Sequence, residues 1–219
     1  FGGPGKFKIS DINDNEYNDW IGAQIRIDLY GWVLPGKPGL ASGLARQDAM
    51  LSHRRNGVEC SAFIAALAAL IPINEDKFSA VETALDYIDK DTETFEAVRL
   101  GIENMNKDFT PIAEKYEGMS PVHSLNNLAL VVWAFLSFDD YDAAVGEAVT
   151  AGWDTDCNGA TVGGLMGMHL SEIPPKWYEP WNGRVCTSIS GLGELVLEDL
   201  VNRTMLLVSK FSDLEDKKF

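Results

Sequence analysis

Apolar residues recur at helical spacing along most of the chain. Val145, Ala148 and Val149 share one stripe, and Ile21, Ile25 and Leu29 recur every four residues. No segment shows the strict alternation that is typical of a half-buried strand. The pattern predicts helices over residues 40–52, 61–70, 78–89, 92–106, 123–136, 141–151, 158–170 and 193–210. We therefore expect an all-α fold, a compact bundle of many helices.

Breaks between these segments are marked by proline and glycine. Residues 31–39 hold two prolines and three glycines and predict a loop, while Pro72, Pro111 and Gly152 mark the ends of helices. Residues 1–19 are glycine-rich and then polar, which predicts a lead-in loop or linker. The pattern divides the chain into this lead-in, an all-α domain over residues 20–210 and a charged, frayed tail over residues 211–219.

Composition limits the partners. The 219 residues are 46% hydrophobic and 23% charged, which is typical of one globular domain with a sizeable core. With 18 basic and 33 acidic side chains the net charge is −15, and such a surface repels nucleic acid and anionic lipid. The longest apolar runs, residues 62–71 and 128–136, are shorter than the roughly 18 residues needed to span a bilayer. We expect neither nucleic-acid binding nor a membrane partner.

Cysteine usage points to a compartment. Cys60, Cys157 and Cys186 are odd in number and far apart, so neither a disulfide framework nor a zinc ribbon is indicated. This pattern is typical of a reducing compartment, and we expect a cytoplasmic protein.

The most informative stretch is AGWDTDCNGATVGGLMGM, residues 151–168. Asp154 and Asp156 lie two residues apart at a junction between two predicted helices. Two such carboxylates repel each other, and a hard divalent cation relieves the repulsion, with Mg²⁺ or Mn²⁺ favoured over zinc. Helix capping or plain solvation is the alternative, since the same D-x-D spacing recurs at residues 89–91 and 140–142.

The predicted helix after this pair has one nearly bare face. Gly159, Gly163 and Gly167 recur every four residues, although glycine weakens a helix by roughly 1 kcal/mol relative to alanine. Close approach of another backbone compensates for such a run. The helix is therefore predicted to be central, with both aspartates at its N-terminus and against an interior cleft.

Several stretches together resemble one known family. The run GWDTDCNGATVGGLMGM at residues 152–168 resembles the C-terminal metal motif of the ADP-ribosylglycohydrolases, a family that includes the dinitrogenase reductase-activating glycohydrolases and some crystallins. The stretches DWIGAQIRIDLYG (19–31), DAMLSHRRNG (48–57), VHSLNN (122–127) and IPPKW (173–177) follow the expected order. The resemblance extends over about residues 16–205.

The resemblance implies a compact all-α bundle that hydrolyses the bond between ADP-ribose and an acceptor at a two-metal Mg²⁺ or Mn²⁺ centre. Asp154 and Asp156 resemble the C-terminal metal ligands. Cys157 stands where family members often have a threonine ligand, and a thiol is a poor ligand for Mg²⁺.

The resemblance also implies a substrate side. Gly22, Gln24 and Arg26 resemble the loop that cradles the ribose and phosphates, and His53 resembles a histidine of the same pocket, near Asn56 and Gly57. Each of these residues also has a simpler interpretation. Arg26 forms an ion pair with Asp28 or Asp48, His53 is an exposed histidine at a helix end, and Asn56-Gly57 is a turn. The cluster of His123, Asn126 and Asn127 is interpreted first as a group that caps a helix.

One part of the family pattern has no counterpart in this sequence. Family members carry further metal ligands in an N-terminal segment with a run of consecutive aspartates beside threonine, together with an acidic residue that activates the attacking water. We therefore expect this chain to be the C-terminal part of a longer hydrolase, lacking the N-terminal helices, with the catalytic residue on an N-terminal segment or a separate chain. The alternatives are a non-catalytic ADP-ribose-binding or crystallin-like relative, and an α-helical interaction module with an acidic face.

Overall fold

The computed structural model describes residues 15–170 and 172–217. This part of the chain is mainly helical, and the predicted all-α class is confirmed. The α-helices are α1 (Asp28–Val33), α2 (Pro38–Ala49), α3 (Arg55–Leu70), α4 (Lys77–Ala84), α5 (Glu93–Glu103), α6 (Thr110–Lys115), α7 (Ser124–Ser137), α8 (Tyr141–Thr150), α9 (Thr155–Leu170) and α10 (Leu197–Phe211). Short 3-10 helices cover Glu16–Asp19, Gln24–Arg26, Ile71–Ile73, Leu85–Tyr87, Pro175–Trp177 and Glu179–Trp181.

Two central helices, α3 and α7, are buried on almost every side. The helices α1, α2 and α4 pack around α3, while α5, α8 and α9 pack around α7. The segment Arg55–Ile73 is 19 residues long with mean hydropathy 1.7, long and apolar enough to cross a membrane by length and composition. However, 78% of its apolar window is buried among the other helices. Its composition is therefore explained by its place in the core.

The predicted loop over residues 31–39 is wrong for most of its length. Helix α1 continues through Val33, and Pro38 begins α2 at a position where its missing N–H costs nothing. Gly31 is a contact residue and not a helix breaker. A Cβ there would lie 2.3 Å from Ala68 Cβ and 2.9 Å from Ala65 O of α3. The glycine allows α1 to approach the central helix closely.

The prediction that Pro111 marks the end of a helix is also wrong. Pro111 lies in the first turn of the short helix α6. The helical stripe of Ile21, Ile25 and Leu29 is likewise wrong. Residues 24–26 form a 3-10 helix before α1, and Ile25 and Leu29 are exposed. Side-chain caps support other helices as expected: Asp140 Oδ1 accepts from Ala143 N at 2.9 Å at the start of α8.

A small hairpin corrects the prediction that the chain has no strand. Strand β1 (Arg184–Cys186) pairs antiparallel with β2 (Glu194–Val196), with Val185 opposite Leu195. Each strand has three residues, too few for alternation to be visible in the sequence. The helix predicted from residue 193 accordingly begins at Leu197.

The segments on either side of the predicted helical domain form hydrogen bonds with it. Residues 1–14 of the predicted lead-in lie outside the described residues, but Ser124 Oγ donates to Asp19 O at 2.7 Å. At the other end, Asp216 Oδ1 accepts from Leu40 N at 2.9 Å and Lys37 Nζ donates to Ser212 O at 2.8 Å. Residues 212–217 therefore cap the start of α2, where a frayed tail was expected.

Candidate metal centre

A tight turn between α8 and α9 positions the acidic pair. Gly152 (φ 100°) and Trp153 (φ 57°) both have left-handed backbone, which ends α8 and reverses the chain before Asp154. The Trp153 ring packs edge-on to Phe109 and Tyr116, with ring centroids 5.3 and 6.2 Å away. These contacts anchor the turn to the core.

The potential ligand atoms of Asp154, Asp156 and Cys157 all lie within 4.8 Å of one another. Asp154 is half-buried and Asp156 is exposed in the first turn of α9. Burial raises the pKa of Asp154, and the neighbouring Asp156 raises it further, whereas a hydrogen bond from the Cys157 thiol opposes the rise. Burial, together with Asp154, raises the pKa of Cys157 to about 12, so this thiol stays protonated at neutral pH.

Asn127 of the central helix α7 holds this turn in place. Its side-chain Oδ1 accepts from Asp154 N at 3.3 Å and from Asn158 Nδ2 at 2.7 Å. Its Nδ2 donates to Pro121 O at 2.8 Å and to His123 O at 2.7 Å. In the sequence, Asn127 resembles a helix cap, and its only other signal is its place in the VHSLNN stretch. His123 does cap α7, since its Nδ1 accepts from Leu125 N at 3.2 Å.

Asp156 lies at the wall of a groove of about 910 Å³. The exposed face of α9, including Ala160 and Gly164, forms one side, and the apolar face of α10 forms another. Among the described residues that line the groove, none is basic. Asp156 therefore lies beside a largely apolar surface.

Three of the predicted substrate residues meet in a separate polar network. A Cβ on Gly22 would lie 3.3 Å from His53 Nε2, and Arg26 Nη1 donates to Gly22 O at 3.3 Å. Arg26 Nε also pairs with Asp48 Oδ1 at 2.7 Å, while Ser52 Oγ accepts from Arg26 Nη2 at 2.9 Å and lies 2.8 Å from His53 Nδ1. Of the two partners considered for Arg26, the structure shows Asp48.

His53 is buried in this network, so it is not an exposed helix-end cation. Burial and then the Arg26 guanidinium lower the pKa of His53, although Asp19 opposes the shift. The imidazole is therefore neutral at pH 7.

Asn56 and Gly57 lie in the first turn of α3, so the predicted turn at these positions is wrong. A Cβ on Gly57 would lie 2.4 Å from Asn18 O, so a close backbone approach explains this glycine. Asn56 Nδ2 donates to Glu93 Oε2 at 2.8 Å. Both residues connect elements of the fold in the described structure.

Gln24 and Asp28 have buried side-chain polar atoms that lack a hydrogen-bond partner. Gln24 is fully buried, and neither of its side-chain polar atoms has a hydrogen-bond partner. Asp28 Oδ1 is buried without a partner, and its Oδ2 lies 3.7 Å from the Cβ position of Gly164 on α9. Burial raises the pKa of Asp28 to about 7. Asp28 was considered only as a partner of Arg26, so its burial was missed.

Comparison with known proteins identifies the family. The family model for ADP-ribosylglycohydrolase matches residues 3–209, nearly the whole chain. The chain belongs to the ADP-ribosylglycohydrolase family. An uncharacterized protein of Archaeoglobus fulgidus is 25% identical over 168 residues, which are 74% of this chain and 53% of that relative. The chain thus spans about half the length of the curated relative it matches.

Membership of the ADP-ribosylglycohydrolase family implies a hydrolase of glycosyl bonds, and the family is generally metal-dependent. The donor set fits such a group in part. Two carboxylates are ligands that hard cations prefer, and Asn158 Oδ1 is a further buried oxygen without a partner in the first turn of α9. The protonated thiol of Cys157 does not fit a hard cation. Within residues 15–170 and 172–217, a second group of three acidic, histidine or cysteine ligands this close together is not found.

Proposed function

We propose that this glycohydrolase cleaves the glycosidic bond between ADP-ribose and an acceptor, with Asp154 and Asp156 as ligands of Mg²⁺ or Mn²⁺. The observation that supports it is the acidic cluster at the start of α9, in a chain whose family acts on ADP-ribosylated substrates.

The three cysteines are all free in the structure, and we propose a cytoplasmic location on that basis.

In this proposal the residues around Asp154 hold its carboxylate in position for a metal ion. A bound metal ion would neutralise the charge of the carboxylates and of a polar substrate. Asp154 is held by Asn127 through its backbone N–H, and Cys157 donates a hydrogen bond to its carboxylate. Asn127 therefore acts as a positioning residue, and outer partners of this kind keep ligands in one orientation.

The substrate side of the proposal is Gly22, Arg26 and His53. Arg26 supplies a fixed positive charge for a diphosphate, and the neutral His53 offers a hydrogen-bonding nitrogen without a second cation. Gln24 brings an amide that has no partner within the protein. Asn56 and Gly57 belong to the same proposed pocket wall, since Gly57 packs on the His53 ring.

Two carboxylates fill only part of the octahedral set of oxygen ligands around Mg²⁺, and water and substrate oxygens commonly fill other positions. We propose that further protein ligands of a two-metal centre, and the acid that activates water, lie outside residues 1–219, on an N-terminal segment or a separate chain. Residues 1–219 alone should then bind ADP-ribose and metal weakly and show little or no turnover.

Titration separates the proposal from its alternatives. Mn²⁺ binding and hydrolysis of an ADP-ribosylated peptide are measured for the protein, for Asp154→Asn with Asp156→Asn, and for the matched pair Asp89→Asn with Asp91→Asn. The first pair should weaken Mn²⁺ binding at least tenfold and remove any turnover, whereas the control pair should change neither.

Equal Mn²⁺ binding by all three proteins would contradict the proposed metal site. Binding of ADP-ribose that is independent of metal, without turnover, would instead support the non-catalytic relative. Two ligands without a second cluster among the described residues are the observation that favours this second candidate. No response to either titrant would support the interaction module.

A further inference from the structure

Residues 212–217 follow α10 and lie across the start of α2, and we call this segment the strap. Asp216 Oδ1 accepts from Leu40 N at 2.9 Å, and Lys37 Nζ donates to Ser212 O at 2.8 Å. The side chain of Lys37, at the N-cap position of α2, makes no capping hydrogen bond. The strap therefore supplies the carboxylate that the start of a helix prefers.

The close approach of the strap depends on Gly39 in the first turn of α2. Gly39 is buried, and a Cβ there would lie 2.6 Å from Lys217 O, closer than a Cβ approaches another atom. Because that oxygen belongs to the backbone of the strap, it cannot turn aside as the end of a long side chain would. A larger residue at position 39 would therefore displace the strap.

Helix α10, which the strap follows, is attached to the domain by few contacts. No residue of α10 is buried. Half-buried Leu207 and Phe211, near its end, pack against the core, and at its start Leu197 N donates to Gly183 O at 2.8 Å. Elements with so few buried contacts open locally at a low free-energy cost. The bonds of the strap thus act at the end of a weakly held helix.

The position of α10 matters for the candidate metal centre, because this helix forms one wall of the groove that Asp156 also lines. The strap itself lies outside the part of the chain that the family model covers, which ends at residue 209. Membership of the family therefore implies no role for it.

We propose that the strap is a releasable fastening that controls α10. When it is bound across α2, α10 is held in place as a wall of the groove. When it is released, α10 loosens and the groove beside Asp156 opens. The strap residues are exposed, so release does not require the core to unfold. The proposal does not depend on hydrolysis, so it can fail while the proposed function stands.

Two glycine substitutions test the strap by hydrogen exchange. Gly39 and Gly146 both lie in helices, where alanine is favoured over glycine, but a Cβ on Gly146 would meet no atom within 4 Å. We expect Gly39→Ala to raise the exchange rate of the α10 backbone amides about tenfold, as local opening does. Gly146→Ala should leave exchange in α10 unchanged.

A second pair of variants removes the capping bond without placing an atom beneath the strap. Asp216→Ala should raise α10 exchange about fivefold, the ratio that one capping bond contributes. Asp216→Asn keeps an oxygen that can accept from Leu40 N, so it should retain most of the protection. Asp213→Ala, at an exposed acid of the same segment, should have no effect.

Methionine oxidation reports on the groove itself. Met168 is half-buried and lines the groove, whereas Met50 is 48% exposed and lies at the far end of α2. Because oxidation of methionine follows its exposure, peroxide should oxidise Met168 about threefold faster in Gly39→Ala than in the parent. Met50 should react at the same rate in both proteins.

Three outcomes would overturn the proposal. One is equal exchange of α10 in the parent, Gly39→Ala and Asp216→Ala. Another is an equal rise of exchange in α10 and in the central helix α3, which would mean that the strap opens only when the whole domain unfolds. The third is faster exchange of α10 with unchanged oxidation of Met168, which would contradict the opening of the groove.

Discussion

Two polar regions of this molecule carry the family motifs, and they differ in how their side chains are bonded. At the start of α9, Asp154 and Asp156 lie close together, Asp156 lines a groove, and Asn158 Oδ1 has no hydrogen-bond partner. In the other region Arg26 and His53 are bound into a network with Asp48, Ser52 and Gly22 O. The first region has unused ligand capacity, and the second is largely satisfied internally.

A resemblance to family motifs places residues in both regions, but it does not show how readily each region binds a ligand. Carboxylates that repel each other and keep free oxygens are ready for a cation, whereas a guanidinium already paired with a carboxylate must exchange partners to bind phosphate. Motif residues in the two regions therefore have different costs of engaging a ligand. The following changes test that contrast, beginning with the largest expected effect.

Asn127→Ala should have the largest effect, because it removes bonds to Asp154 N, Asn158 Nδ2 and two carbonyl oxygens at once. We expect the free energy of unfolding to fall by about 2 to 4 kcal/mol, since each buried bond contributes about 1 kcal/mol. Mn²⁺ binding should weaken by roughly 10- to 100-fold through loss of an outer partner. Urea unfolding and Mn²⁺ titration measure the two effects.

Asn104→Ala serves as the matched control for this change. Asn104 is also a buried amide, and its Nδ2 donates to Leu100 O at 2.8 Å at the end of α5. Its loss should cost about 1 kcal/mol and leave Mn²⁺ binding unchanged. If both variants weakened Mn²⁺ binding equally, Asn127 would have only a general structural role.

The all-α class and the acidic pair were accessible from the sequence, because helical periodicity and D-x-D spacing are local patterns. Asn127 was not, since its partners Asp154 and Asn158 are about 30 residues further along the chain. Gly31 was misread for the same reason. Its role depends on contact with Ala65 and Ala68 of another helix, which composition cannot show.

Burial of charged groups was equally inaccessible. The sequence shows Arg26 and Asp28 as neighbours of opposite charge, yet Arg26 pairs with Asp48 while Asp28 turns toward Gly164 of α9. Which of two nearby acids becomes the partner depends on how α1 and α2 pack, and that arrangement is tertiary. Capping of α2 by Asp216 joins residues 176 positions apart in the chain and was missed likewise.

Asp28→Asn should produce an intermediate effect that depends on pH. Because burial raises the pKa of Asp28 from 3.8 to about 7, the folded protein binds a proton that the unfolded chain releases. The stability from this proton is fully present below pH 3.8 and is lost as the pH rises through about 7. A shift of this size bounds the effect at about 4 kcal/mol, and we expect about 1 to 3 kcal/mol.

The measurement at pH 4 serves as the control for the measurement at pH 8. At pH 4 the carboxyl is protonated in the folded protein and resembles asparagine in shape, so the variant and the parent should be about equally stable. At pH 8 the variant should be more stable by the amount above. Denaturant unfolding at both pH values measures the difference, and a constant difference would show that Asp28 is not desolvated.

Arg26→Gln should change stability least, by less than about 1 kcal/mol, because the Arg26 side chain is 37% exposed in its pair with Asp48. Arg99→Gln is a close control, since Arg99 pairs with Glu82 at 2.7 Å and is 38% exposed. If Arg26 also holds a substrate diphosphate, Arg26→Gln should weaken ADP-ribose binding about tenfold, as expected for one lost charge-assisted contact, and Arg99→Gln should not. Calorimetric titration with ADP-ribose decides between these roles. Equal binding by both variants would make Arg26 a structural ion pair and leave the start of α9 as the one candidate site in the described part of the chain.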